Sequence, residues 1–175
     1  MIDPLIHYSL LGSFALMFAL SAAEKYSDRA AFSAEIQNYR LLPAALIPVI
    51  AVLVTATEII IATLLITELY RYAAIAGMLL LLAYAAGIMI NLLRGRTHID
   101  CGCLGSHGEG ISYFHVLRNL LMAALLGICL LEAADRQLVW LDYFVVAGWL
   151  AAATLVYATA SLLLAAHLNH RTWWQ

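Results

Sequence analysis

Residues 42–66 read Leu-Pro-Ala-Ala-Leu-Ile-Pro-Val-Ile-Ala-Val-Leu-Val-Thr-Ala-Thr-Glu-Ile-Ile-Ile-Ala-Thr-Leu-Leu-Ile, with Glu58 as the sole charge. A run of this length matches the roughly 20 apolar residues that a helix needs to cross a bilayer. On either side lie four more such runs, at Leu5–Ala23, Tyr72–Leu93, Tyr113–Leu131 and Tyr143–Ala166. Backbone in lipid must satisfy its own hydrogen bonds, and no alternating barrel pattern is visible, so these runs are read as helices. The expected fold is all-α: a polytopic transmembrane bundle of about five spans, a four-helix core plus one, forming a single domain over 1–175.

Composition agrees. Apolar residues make up 65% of the chain and charged residues 11%, and mean hydropathy is +0.90. A soluble domain is nearer half apolar and a quarter charged, so lipid is the expected partner of most of this surface. The net charge of −2 provides no basic footprint, and nucleic acid is not an expected partner. No internal repeat, low-complexity tract or soluble domain is evident. The first run has no basic residue before it and no clear small-residue cleavage site after it, so it is read as a span rather than a secretory signal.

Five spans place the termini on opposite faces. One face carries Lys25, Arg29, Arg40, Arg94, Arg96 and Arg171, and the other only Arg71 and Arg136. The positive-inside rule then puts the 94–112 loop in the cytoplasm. The chemistry of that loop argues for the oxidising face instead.

The loop reads Arg-Gly-Arg-Thr-His-Ile-Asp-Cys-Gly-Cys-Leu-Gly-Ser-His-Gly-Glu-Gly-Ile-Ser. Cys101 and Cys103 flank Gly102, and sulfurs one residue apart meet only in a tight ring. Glycine in the middle admits the dihedrals such a ring demands. Strained, accessible disulfides are labile and oxidising, which suits exchange better than stapling. Exchange needs a thiolate, which Arg94, Arg96, Arg118 and the N-terminus of the fourth span favour and Asp100 and Glu109 oppose. Two other readings stay open. The thiols can be inert, or His98, Cys101, Cys103 and His107 can supply two sulfurs and two imidazoles to zinc or copper(I), although their spacing matches no familiar zinc signature. Cys129 lies about 25 Å along the fourth span from Ser112, near the opposite face, and is read as a small buried hydrophobe.

Ionisable groups at membrane depth normally face the bundle interior or a cavity. Glu58 is the clearest, and Asn91, Arg118 and Asn119 follow. Counted from Pro43, Glu58 lies about 22 Å into its helix and approaches the N-terminal face, while Arg118 lies about 9 Å from Ser112; the axial gap opposes a direct salt bridge. Asn91 and Arg118 share a depth just beneath the loop and are read as its supports. For Glu58, a helix–helix hydrogen bond that fixes packing weighs equally with a functional role. Tyr8, Tyr70, Tyr72, Trp140 and Tyr143 are read as an interfacial belt on one face, with Trp173 and Trp174 on the other. In 24–41, Lys25, Phe32 and Tyr39 recur every seven residues on one stripe, predicting an amphipathic helix at the membrane surface that ends before Pro43.

These residues carry a family likeness. Lys25, Phe32, Tyr39, Leu41-Leu42-Pro43 and Glu58 resemble the front half of DoxX-like and MauE membrane proteins. Asn91, Arg94-Gly-Arg96, Asp100-Cys-Gly-Cys103, Gly105 and Val116-Leu-Arg-Asn119 resemble the MauE branch specifically. The resemblance implies a multi-pass protein of the bacterial inner membrane, required for making methylamine dehydrogenase, a periplasmic quinone-cofactor enzyme whose small subunit is dense in disulfides. It implies work beside MauD, a thioredoxin-like membrane-anchored protein, with electrons or disulfides passed between the two. Under it Cys101 and Cys103 form the exchanging pair, with Asp100, Gly102, Asn91, Arg94, Arg118, Asn119 and Glu58 supporting. No bound cofactor is expected, and whether a quinone binds is left open. A non-catalytic subunit of a membrane redox assembly, or a metal or small-molecule transporter with Glu58 and Arg118 in its pathway, are the rival readings.

Overall fold

The computed structural model describes residues 2–96, 110–134, 136 and 139–172, with side chains in the last helix up to Leu155 and at Thr159. It is an all-α bundle of α1 (Pro4–Ser27), α2 (Arg29–Tyr39), α3 (Ile47–Leu64), α4 (Tyr70–Leu93), α5 (Tyr113–Ile128) and α6 (Trp140–Thr172). The five apolar runs correspond to α1, α3, α4, α5 and α6. Three segments are long and apolar enough to cross a membrane by themselves: Pro4–Ser27, Ala44–Leu64 and Tyr70–Leu93. The Tyr113–Leu131 run yields a shorter helix than expected, ending at Ile128.

Local chemistry sets the boundaries. The Asp3 carboxylate caps α1 by accepting from the Leu5 amide at 2.8 Å, with Pro4 at the first helical position, where no amide is missed. Asp28 caps α2 by accepting from the Ala31 amide at 2.9 Å. Arg40, in the left-handed region at φ 49, closes α2 and turns the chain into Leu41-Leu42-Pro43. The expected amphipathic helix is therefore present: Phe32 is buried, while Ala34, Gln37 and Asn38 are exposed. A 3-10 turn at Ala44–Leu46 precedes α3, so the regular helix starts at Ile47, later than the expected Leu42.

The bundle is built as lipid demands, with small residues inside and large apolar ones outside. Leu53, Leu79 and Leu121 are 55%, 63% and 55% exposed on α3, α4 and α5, faces that water would not stabilise and lipid does. Inside, Ala73, Ala74 and Gly77 let α4 approach its neighbours closely. A methyl group at Gly77 would stand 2.7 Å from Leu126 Cδ2 and 3.2 Å from the Phe18 ring. Phe18, Ile61, Leu65, Leu126 and Cys129 complete this core. A second cluster, Ala85, Ile88, Leu92, Ile111 and Val116, fills the opposite end, where α4 leads into the cysteine loop. Tyr8, Tyr72, Trp140 and Tyr143 are exposed at the end away from that loop, as an interfacial belt requires, whereas Tyr70, expected in the same belt, is partly buried with its ring 5.1 Å from that of His7. Trp173 and Trp174 lie outside the described residues.

Candidate functional site

The densest polar chemistry among the described residues is a buried cluster around Glu58. α1 continues to Ser27, so Lys25 sits in its last turn with Ser21 one turn earlier on the same face. Glu58, 1% exposed, comes from α3, and Tyr84 from the middle of α4. Three donors converge on one oxygen: Glu58 Oε1 accepts from Lys25 Nζ at 2.5 Å, Tyr84 OH at 2.7 Å and Ser21 Oγ at 3.1 Å. Lys25 Nζ also donates to Ser21 Oγ at 2.6 Å. The ammonium lies 5.3 Å and 5.4 Å from the Phe32 and Tyr84 ring centres, within cation–π range. Lys25 is only 6% exposed, so this ion pair is desolvated.

That geometry corrects the expected place of Lys25. It is not a surface charge on the amphipathic stripe but one half of a buried pair, and the count of free cations on its face falls accordingly. It also moves Glu58. Its partners Ser21 and Lys25 belong to the end of α1 nearest the loop, not to the N-terminal face that Glu58 was expected to approach. Glu58 then shares one cavity with Arg118 and Asn119 of α5, residues that the axial estimate had set apart from it. No ion pair joins Glu58 to Arg118, as expected. The helix–helix hydrogen bond expected of Glu58 is present, and it ties α3 to α1 and α4 together.

Asn91 does something different. It is fully buried near the end of α4, donates to the Gly87 carbonyl at 3.1 Å and accepts from Arg96 at 3.2 Å. The Arg96 amide returns to the Asn91 carbonyl at 3.0 Å and the Gly95 amide to Leu92 at 2.9 Å, with Gly95 at φ 70. This is a Schellman closure, and its left-handed position is why glycine stands there. Arg96 is thereby hooked to the end of α4, and Arg94 is exposed. The chain re-enters helix at Ser112, whose amide donates to His115 Nδ1 at 3.2 Å, a capping-box contact with histidine in place of the usual Glu or Gln. Asp100, Cys101, Gly102, Cys103 and the alternative ligands His98 and His107 lie outside the described residues. Cys129 is unpaired and fully buried at the far end of α5, in the core rather than at a site.

Ser21 and Tyr84 were not singled out by the sequence. Their signals are a serine four residues before a lysine on a continuing helix, and a tyrosine at the centre of a span where a belt has no use for one.

The protein-family comparison matches residues 4–132 to the model described as methylamine utilisation protein MauE. The chain belongs to the MauE family. A relative from Paracoccus denitrificans, named methylamine utilization protein MauE, is 36% identical over 168 residues, covering 93% of this chain and 89% of its own. One of the same name from Paracoccus versutus is 36% identical over 166 residues, covering 92% and 88%. Another from Methylophilus methylotrophus is 38% identical over 114 residues, covering 63% and 60%. No solved structure matches significantly. The MauE match spans Lys25, Glu58, Tyr84, Asn91, Arg118 and the segment with both loop cysteines, whereas α6 lies beyond it.

Proposed function

We propose that this chain serves methylamine utilisation as a multi-pass protein of the bacterial inner membrane, acting as a thiol–disulfide partner in maturation of a periplasmic redox enzyme. Membership of the MauE family supports the process, and the Cys101-Gly102-Cys103 pair inside the matched segment supports the chemistry. The observation that carries the reading is the footing of that segment. Residues 97–109 start directly at the Arg96 hook on α4 and end just before the capped start of α5.

The exchange balances without a bound cofactor. The thiolate of one cysteine attacks a partner disulfide, forming a mixed disulfide and releasing the partner's other sulfur as a thiolate. The second cysteine then attacks the mixed disulfide. Two electrons and two protons pass from this chain's dithiol to the partner, or the reverse. The partner is a thioredoxin-like periplasmic protein such as MauD, and the client is the disulfide-dense small subunit of methylamine dehydrogenase.

The test is client level in cells growing on methylamine. Cys101→Ser, Cys103→Ser and the double variant should each abolish mature enzyme, and one single variant should trap a mixed disulfide visible on non-reducing gels. A double variant with normal client levels would sink the exchange role and leave a scaffold. A membrane-impermeant thiol reagent should label Cys101 and Cys103 in intact cells after mild reduction.

A further inference from the structure

A half-open pocket of about 200 Å³ lies between α1, α3, α4 and α5. Part of its lining is the cluster already described, Ser21, Lys25, Glu58 and Tyr84, in which the Lys25 and Glu58 charges cancel. Arg118 of α5 lines it too, and Met17, Phe18, Leu81 and Met122 form an apolar wall. Two cations and one carboxylate thus line the pocket, and the charge left over sits on Arg118. That cation is unlike the others. Lys25, Arg71 and Arg136 have carboxylate partners. Arg96 donates to Asn91 and to the Tyr39 carbonyl, and Arg29 lies 4.2 Å from the Tyr26 ring centre. Arg40 and Arg94 are exposed. Among the described side chains, Arg118 is the one arginine or lysine that is partly buried with neither an ion pair nor a hydrogen bond.

A charge at membrane depth is costly unless paired. The one carboxylate in the pocket already belongs to Lys25, so the counter-ion for Arg118 comes from outside the chain. The surroundings define it. The wall of Met17, Phe18, Leu81 and Met122 gives a small hydrated anion nothing to bond and favours one that brings its own hydrocarbon. The planar guanidinium fork pairs with phosphate through two parallel N–H donors. One uncompensated positive charge matches a singly charged phosphodiester. A zwitterionic headgroup matches it less well, because its own ammonium already balances its phosphate. Depth agrees: Arg118 lies about 9 Å along the axis from Ser112, where a long side chain reaches toward the phosphate layer from below.

We propose that this pocket is a binding site for one acidic phospholipid, with its phosphodiester on Arg118 and the upper part of an acyl chain against the apolar wall. The ligand arrives from the bilayer, which the outer faces of these helices contact. The inference does not rest on the cysteine chemistry.

Equilibrium binding of tail-labelled dioleoyl phosphatidylglycerol to the purified full chain in maltoside micelles tests it, with the phosphatidylcholine of the same tails as comparison. Saturable binding at one lipid per chain is expected, about ten-fold tighter for phosphatidylglycerol, the worth of a charge-assisted hydrogen bond. Arg118→Gln should erase that preference. Arg40→Gln, which removes an exposed cation outside the pocket, should leave it unchanged. The preference of the native chain between the two headgroups tests the proposal without any variant. Equal affinity for the two lipids, or a preference that survives Arg118→Gln, overturns it. A preference lost equally in Arg40→Gln overturns it in favour of diffuse surface charge. Displacement by inorganic phosphate as readily as by unlabelled phosphatidylglycerol overturns it in favour of a soluble-anion site.

Discussion

Replacing Lys25 by methionine asks whether the Glu58 cluster is an ion pair at membrane depth or an ordinary helix–helix contact. The two readings differ in magnitude. Neutral hydrogen bonds between membrane helices average about 0.6 kcal/mol. Removing one partner of a buried ion pair costs about 3–5 kcal/mol, because the other charge is left uncompensated. In Lys25→Met, Glu58 keeps Tyr84 and Ser21 as donors but loses its cation, and from the middle of α3 it cannot reach water. In Glu58→Gln, the stranded ammonium sits in the last turn of α1 and can extend toward the loop face. The lysine variant should therefore lose about 3–5 kcal/mol and the glutamate variant less, about 1–2 kcal/mol. The double variant should recover, with a coupling energy of about 2 kcal/mol or more. Denaturant titration of the four proteins in mixed micelles measures the cycle. A Lys25→Met cost below about 1 kcal/mol, or additive single effects, would refute the desolvated ion pair.

Three further outcomes follow from the packing. Gly95→Ala should cost roughly 1–2 kcal/mol through its left-handed backbone alone, since an added methyl meets nothing within 4 Å; faster amide exchange at Gly95 and Arg96 would report the loosened end of α4. Gly77→Val should destabilise by about 1–3 kcal/mol or more through collision with Leu126 and Phe18, whereas Gly148→Ala, with open space around it, should be neutral or stabilising, both read by denaturant titration in mixed micelles. Cys129→Ala should leave client maturation unchanged, and Cys129 should resist thiol reagents until the protein unfolds, because it is fully buried in the core.

The fold was legible wherever one residue type dominated a long window. Uninterrupted apolar runs specify membrane helices regardless of their neighbours, and Phe32 and Tyr39, seven residues apart, do lie on α2, whereas Lys25, read on the same stripe, belongs to the last turn of α1. Ser112 was readable as a helix start because capping is local. The Glu58 cluster was not readable, for two reasons. Its bonds join residues 33, 37 and 26 positions apart, and no local pattern encodes which spans touch. Lys25 also stands at the edge of an apolar run, where a lysine ordinarily snorkels outward; only the extension of α1 to Ser27 turns it inward. The Glu58–Arg118 separation failed because counting residues along one helix does not fix how neighbouring helices are shifted and tilted against it, and the two residues line one pocket.

The arrangement divides polar residues that the sequence had grouped together. Asn91, Arg118 and Asn119 all looked like footing for the cysteine loop, being at similar depth below it. Asn91 does take that part: its side chain holds Arg96, and its carbonyl holds the amide that begins the loop. Arg118 and Asn119, one turn into α5, instead line a cavity with Glu58 and leave hydrogen-bonding capacity unused within the protein. A residue whose task is to brace a loop has every reason to be fully bonded, since bonding is the bracing. By that criterion Asn91 and Arg96 are structural, and Lys25, Ser21 and Tyr84 hold Glu58 in place.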